Sequence, residues 1–167
     1  IVNSYDEEKL SDIFYLYGEL NNARRIASLI VKARVCKKID TTQTLMQTLQ
    51  SLAPKGKENK FFAMLFQALR IEVNGELKSL EQLLQETTKI LEKGGRIVVL
   101  SYHSLEDRMV KRWFKAGNFE GEQEKDFYGN IIAPLKQITA KAIVPNGEEI
   151  ERNPRARSAK MRIAEKI

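Results

Sequence analysis

The chain has 167 residues, a formal net charge of +6 from 28 Lys and Arg against 22 Asp and Glu, and one cysteine. This length supports one or two small domains with their own cores, and the basic balance is typical of a protein with a polyanionic partner or of an ordinary basic surface. One cysteine and one histidine exclude an intramolecular disulfide and a Cys/His metal site, and no apolar run is long enough to span a membrane. We therefore expect a cytoplasmic protein without a metal. Because the chain begins at Ile1, we also expect it to be a segment of a longer protein.

Apolar residues at helical spacing predict a helical first part. A capping box formed by Ser4 and Glu7 is expected to start the first helix, and Gly18 to end it. Thr41 or Thr42 is expected to start the third helix. The predicted helices cover approximately 4–18, 22–34, 41–53, 60–74 and 76–92.

The helix predicted at 60–74 carries a narrow polar stripe of Gln67, Arg70 and Asn74 on an otherwise apolar surface. Buried polar residues of this kind either tie helices and loops together by hydrogen bonds or support a nearby site. A buried arginine needs an acidic partner, and we expect Arg70 to pair with Glu106 or Asp107.

The most informative segment is a predicted strand at 96–102 that runs directly into a charged helix. The apolar run at 97–100 does not alternate, which is typical of a parallel strand covered on both faces. Ligands of parallel sheets bind beyond the carboxyl ends of the strands, where this chain places Ser101, Tyr102 and His103. A central parallel strand needs neighbours, and the chain has no second strand of this type, so we expect part of the sheet to lie outside it.

The helix predicted at 104–115 has two charged surfaces. Ser104 is the expected N-cap, and Glu106 and Asp107 complement the helix dipole in the first turn. Four cations share one face, which is either an ordinary solvated surface or a surface for a polyphosphate partner. They are Arg108, Lys111, Arg112 and Lys115.

The C-terminal part is predicted to contain a mobile loop at 117–134 and two alternating strands at 136–144 and 158–166. Asn146 and Gly147 are expected to form a hairpin turn.

The segment 151–162 is rich in arginine, and Pro154 restricts Asn153 to an extended backbone. Guanidinium groups match both phosphate and carboxylate, so these side chains either contact a ligand or RNA or bind acidic residues of the sheet. The candidates are Arg152, Arg155 and Arg157.

Together, FQALRIEVN at 66–74, the segments 94–115 and 153–158, YGE at 17–19 and ARRIA at 23–27 resemble the MraW-like bacterial 16S ribosomal RNA cytosine N(4)-methyltransferases. The motifs occur in the family order over almost the whole chain. Just before residue 66, however, the family carries His-Pro-Ala-Thr-Arg where this chain has KFFAML, so no role of those family residues is carried over to this chain.

The resemblance implies an α/β fold, mostly α by content, with a helical inserted domain at 1–72. Residues 73–167 would be the C-terminal third of a Rossmann-like class I methyltransferase sheet. The glycine-rich loop and the acidic residue of the family's S-adenosylmethionine site are absent from this chain. It follows that the cofactor belongs to the longer parent, and we do not expect this fragment to bind it. The implied partners are 16S ribosomal RNA and the small ribosomal subunit.

The resemblance also implies roles for particular residues. His103 is the best candidate for positioning the cytosine or accepting its proton, and Ser101 and Tyr102 are weaker candidates. The residues expected to hold the loop in place are Gln67, Arg70, Asn74, Ser104, Glu106, Asp107 and Arg108. The expected RNA contacts are Lys111, Arg112, Lys115, Arg152, Arg155 and Arg157.

Two alternatives concern the chain as a whole. It is either part of an enzyme or a non-enzymatic RNA-binding module with basic surfaces. An exposed apolar strand edge also favours a homodimer that hides residues 97–100.

Overall fold

A computed structural model describes residues 1–129 and 132–167, which form two compact units, Ile1–Glu76 and Leu77–Ile167. The first unit is helical, and its apolar faces enclose a core in which Phe14, Ile26 and Leu65 are fully buried. Its elements are α1 (Glu7–Leu16), α2 (Ala23–Cys36), α3 (Thr42–Leu49), a short 3₁₀ helix (Gln50–Leu52) and α4 (Glu58–Asn74). The predicted helices are present, with small differences at their ends.

The start of α1 differs from the prediction. Its N-cap is Asp6, whose side chain accepts a hydrogen bond from the Lys9 amide at 2.7 Å. Ser4 instead lies in a preceding turn, in which its amide donates to the carbonyl of Ile1 at 3.2 Å. The predicted capping box at Ser4 is therefore wrong, because the turn uses the Ser4 backbone and Asp6 provides the extended conformation that an N-cap needs.

The second unit contains a small antiparallel sheet with strand order β1-β3-β2. Helices α5 and α6 supply apolar side chains to one face of this sheet, where Leu84, Val110 and Phe114 pack with Ile97 and Ala164. No helix in the described ranges combines the length and the apolar content needed to cross a membrane. The elements are α5 (Glu76–Ile90), β1 (Arg96–Ser101), α6 (Ser104–Ala116), β2 (Leu135–Gln137), α7 (Gly147–Arg152), a 3₁₀ helix (Pro154–Ser158) and β3 (Lys160–Lys166).

Strand β1 is present, but its surroundings differ from those of a parallel strand covered on both faces. It pairs antiparallel with β3, with Ile97 opposite Ala164 and Ser101 opposite Lys160. Val98 and Leu100 are 57% and 52% exposed. The described residues contain no parallel neighbour of β1, which occupies an edge of the sheet. The sheet has three strands, the number that the sequence predicts.

The segment between β2 and β3 also differs from the predicted hairpin. The side chain of Asn146 accepts a hydrogen bond from the Glu149 amide at 2.8 Å, so Asn146 begins a helix and not a turn. Pro154 starts a 3₁₀ helix in place of a stiff extended approach, since its fixed φ also suits a first helical position. The long strand predicted at 136–144 is reduced to β2 and an isolated bridge between Ile143 and Met161. Part of the loop predicted at 117–134 lies outside the described residues.

The end of α6 gives a test of the packing in the second unit. Gly117 caps this helix with φ +73°, and a Cβ added there would lie 2.5 Å from Cδ of Pro134. Gly94 has φ +84° and open space around the same position, so it is a matched control. Either alanine substitution places an L-residue in the left-handed region at a cost of about 1–2 kcal/mol. We expect Gly117→Ala to lower the free energy of unfolding in urea by about 1–3 kcal/mol beyond Gly94→Ala. Equal losses would contradict the close packing against Pro134.

Candidate functional site

The candidate site is the turn between β1 and α6, which carries Ser101, Tyr102 and His103. Ser101 is only 3% exposed, and its hydroxyl donates to the carbonyl oxygen of Lys160 at 3.2 Å. Tyr102 is half exposed. The Ser101 hydroxyl is therefore used in the contact between β1 and β3. The side chains that come directly after the end of β1 are those of Tyr102 and His103.

His103 is the N-cap of α6, and Ser104 is the first helical residue, which corrects the predicted cap. The ring Nδ1 of His103 accepts the Glu106 amide at 3.4 Å. The backbone at His103 is extended, as an N-cap requires. A ring nitrogen that accepts a hydrogen bond is unprotonated, so the proton of the neutral imidazole lies on Nε2.

Glu106 completes a capping box around this turn. Its Oε2 accepts the amides of Tyr102 at 2.9 Å and His103 at 3.4 Å, and its Oε1 lies 3.2 Å from His103 Nε2. The hydrogen bond from the His103 side chain lowers the pKa of Glu106, with help from the two backbone amides, and outweighs the opposing effect of burial. Glu106 is therefore an ionised carboxylate at neutral pH that holds both the backbone and the ring of the turn.

Asp107 forms the second charged contact of the first turn of α6. Its carboxylate accepts two hydrogen bonds from Arg162, at 2.7 and 3.1 Å, and lies 3.3 Å from Nζ of Lys160. Asp107 and Arg162 are 8% and 7% exposed. Burial raises the pKa of Asp107, but the hydrogen bonds and charges of Arg162 and Lys160 outweigh it, so the pKa lies below its ordinary value.

The polar stripe on α4 is bound within the first unit. Arg70 donates to Glu76 through Nε at 2.9 Å and through one terminal nitrogen at 3.1 Å, and the Asn74 amide donates to Glu76 at 2.9 Å. Gln67 donates to the carbonyl of Tyr17 at 3.1 Å. The predicted pairing of Arg70 with Glu106 or Asp107 is therefore wrong. Arg70 is exposed and pairs with a glutamate only six residues away, just beyond the Gly75 turn.

The predicted RNA-contact residues are all exposed. On α6 the four cations follow one face of a strongly amphipathic helix, and Arg112 also donates to the carbonyl of Phe119 at 3.2 Å. The remaining three candidates lie on α7 and the following 3₁₀ helix. The exposed cations of these three elements that the sequence singled out are Arg108, Lys111, Arg112, Lys115, Arg152, Arg155 and Arg157.

Two functional features were missed by the sequence reasoning. The first is the capping role of His103, which the spacing from His103 to Glu106 could have indicated. The second is the specific partner of Asp107. Arg162 and Ala164 lie two residues apart and are both on the inward face of β3. An arginine at an inward position indicates a buried acidic partner, which here is Asp107.

A cleft of about 270 Å³ opens beside the strand end, on the face of β1 that faces away from α6. Leu100 and Tyr102 form one wall, and Met161 of β3 contributes to it. The opposite wall comes from the segment before α7 and from the 3₁₀ helix, with the polar side chains of Glu149 and Asn153 among apolar neighbours. The cleft combines an apolar floor with a few polar groups, as small-molecule sites do.

The mixed α/β fold, with polar residues at the carboxyl end of a strand, is consistent with part of a methyltransferase fold. The chain belongs to the MraW methylase family, whose model matches residues 1–167. It is 54% identical over 167 residues to ribosomal RNA small subunit methyltransferase H of Parabacteroides distasonis, and 55% identical over 166 residues to the protein of the same name from Phocaeicola vulgatus. The Cytophaga hutchinsonii relative of that name is 51% identical over 166 residues.

These matches cover 99–100% of the chain but 55% of each relative. The chain therefore spans about half the length of the curated relatives it matches, and the similarity extends over the whole chain.

The pairing of Asp107 gives a pH-dependent prediction. Because the pKa of Asp107 is lowered in the folded state, its pairing contributes fully above about pH 4, the ordinary value in an unfolded chain. The contribution is lost as the pH falls through the lowered pKa. Removing one partner of a buried pair costs about 3–5 kcal/mol, so Asp107→Asn should destabilise the chain by that amount near neutral pH. The difference from wild type should shrink below about pH 4 in urea unfolding.

Asp40→Asn is the matched control, since Asp40 pairs with Lys38 at 3.3 Å and both side chains are mostly exposed. An exposed pair contributes about 0–1 kcal/mol, so this control should change stability little at any pH. If the two variants gave the same pH profile, the buried pairing of Asp107 would be refuted.

Proposed function

We propose that the whole protein transfers a methyl group from S-adenosylmethionine to the exocyclic N4 amine of a cytidine in 16S ribosomal RNA, in the cytoplasm and on the small ribosomal subunit. The family match over all 167 residues supports a methyltransferase, and the names of the relatives support ribosomal RNA as the substrate. The observation that carries the assignment for this chain is the turn after β1. There His103 is held between two contacts to Glu106.

The chemistry explains why such a turn is needed. The exocyclic amine of cytosine is a weak nucleophile because its lone pair is delocalised into the ring, so the site must orient it and take up a proton. A base in a stacked helix hides this amine, which favours a target presented outside the stack. S-adenosylmethionine supplies the methyl group when it is bound.

The geometry favours a positioning role for His103 over proton acceptance. Nδ1 is occupied by the Glu106 amide, and Nε2 carries the proton of the neutral ring. Neutral His103 is therefore a hydrogen-bond donor at Nε2, and proton uptake would require the loss of the cap or a change of tautomer. The ionised Glu106 carboxylate fixes the ring and lies 3.2 Å from Nε2, so a hydrogen bond from Nε2 to a nucleobase would require this contact to open.

The described residues do not fit the cofactor by themselves. The amides of Tyr102, His103 and Glu106 already donate within the capping box, so the start of α6 has no spare donors at these positions. Gly94 and Gly95 precede β1 and cannot form a ligand-binding turn after it. We assign S-adenosylmethionine binding to other parts of the longer protein.

We also propose that residues 1–72 are a helical insertion and that 73–167 are part of a larger Rossmann-like sheet. The free edge of β1 and the exposed side chains of Val98 and Leu100 support this, because an exposed apolar edge is ready to pair with another strand. In the isolated chain, the same edge supports the association of two copies.

For the isolated chain, exposure of the cations on α6 supports a second candidate function, RNA binding without chemistry. Like charges three and four residues apart repel along a helix, and a phosphate backbone would relieve that repulsion. Arg112 is partly engaged by Phe119, while Lys111 and Lys115 lie on the same exposed face.

A substitution of His103 in the longer protein separates capping from chemistry. We expect His103→Ala to lower methyl transfer strongly while leaving S-adenosylmethionine affinity nearly unchanged, because the cofactor contacts lie elsewhere. His103→Asn is the matched control, since asparagine is a good N-cap but has no imidazole. It should restore stability without restoring methyl transfer. If His103→Asn were fully active, the histidine would serve only as a cap.

The basic face of α6 can be tested by charge reversal. Replacing Lys111, Arg112 and Lys115 with Glu should weaken RNA binding and flatten its salt dependence, as expected when phosphate contacts are lost. Reversal of Lys78, Lys89 and Lys93, which are exposed in and just after α5, is the matched control and should have a smaller effect. An unchanged salt slope would show that the α6 cations are an ordinary solvated face.

The isolated 167-residue chain should neither bind S-adenosylmethionine measurably nor methylate RNA, although weak, salt-sensitive RNA binding should remain. The reason is that its strand-end amides are used internally. Isothermal calorimetry with the cofactor decides this point. Saturable binding at about micromolar concentration, a free energy of about −8 kcal/mol, would overturn the assignment of the cofactor site to other parts of the protein.

A further inference from the structure

We infer that Arg162 is a positioning residue: its buried contact with Asp107 fixes the first turn of α6 on β3 and thereby sets the orientation of the His103 ring. The catalytic consequence of this inference rests on the proposed function, but the geometric part does not. Arg162 belongs to the arginine-rich segment 151–162, but the sequence pattern did not single it out as a site residue.

The connection from Asp107 to His103 is short and direct. The Asp107 amide donates to the carbonyl oxygen of His103 at 3.2 Å, so the two residues belong to the same helical turn. Glu106, the neighbour of Asp107, holds the backbone and the ring of His103. A movement of the Asp107 carboxylate would therefore move the residue that orients the imidazole.

The type of contact favours positioning over simple stabilisation. Arg162 binds both carboxylate oxygens of Asp107 through Nε and a terminal nitrogen, which fixes the angle between the two groups as well as their distance. Burying two charges is costly, and well-packed apolar residues often give equal or greater stability. A directional ion pair at this place is best explained by the geometry that it imposes.

Strand β3 binds the turn on both of its sides. Before the turn, the Ser101 hydroxyl donates to the carbonyl of Lys160, and after the turn, Lys160 and Arg162 contact the Asp107 carboxylate. Tyr102 and His103 lie between these two anchors, together with the first helical residues, 104–106. The turn is thus held between two attachments to one strand, and Arg162 provides the more buried of the two contacts to Asp107.

The test uses the ring of His103 as its reporter, since it is the only histidine among the 167 residues. Long-range ¹H–¹⁵N NMR on the 167-residue chain should show the Nε2-protonated tautomer in the wild type. Arg162→Gln should shift these ring signals and mix the two tautomers. Arg162→Lys keeps the charge but loses the two-pronged contact, and should give a smaller change in the same direction.

The matched control is Arg96→Gln, which removes the exposed contact between Arg96 and Glu165 on the same pair of strands. It should leave the His103 signals unchanged. Folded Arg162 variants with wild-type ring signals would overturn the inference. So would unfolding of both Arg162 variants, because Arg162 would then act on stability and not on the turn.

In the longer protein, folded Arg162→Lys should lower kcat by about tenfold to a hundredfold with little change in the KM for S-adenosylmethionine, as expected for a misplaced group. A matching rise in KM with unchanged kcat would contradict positioning. If the ring signals shift but kcat does not change, the geometric inference stands and the proposed role of His103 in methyl transfer fails.

Discussion

The burial of one carboxylate, that of Asp107, is the constraint on which the second unit depends. A buried charge must be paired, and the fold meets this requirement by placing Arg162 and Lys160 on β3 opposite the first turn of α6. The contact joins a helix to a strand more than fifty residues away and determines where α6 begins relative to the sheet. This contact therefore also fixes the position of the turn after β1.

That turn holds His103 through both of its ring nitrogens. His103 is the N-cap of α6, where Nδ1 accepts the Glu106 amide, and Nε2 lies 3.2 Å from Oε1 of Glu106. The Glu106 carboxylate also accepts the backbone amide of His103. The same arrangement occupies the amides at the start of α6.

The sheet is one-sided in this chain. The face carrying Ile97 and Ala164 packs with α5 and α6, while Val98 and Leu100 on the other face are largely exposed beside an unpaired edge. Exposed apolar side chains on a strand at a sheet edge are typical of a surface that packs against further structure. The relatives are nearly twice as long as the chain.

The sequence by itself determined the helices of the first unit, strand β1, the helix after it and the family. These features depend on local periodicity and on contiguous motifs. It did not determine the pairing of Arg70 with Glu76, the cap at His103 or the antiparallel pairing of β1 with β3. The first two depend on which of several nearby polar groups is closest in space, and the third depends on how distant segments pack together. Tertiary structure alone decided that Arg162 meets Asp107, because a contact between residues 55 positions apart arises only when β3 lies beside β1.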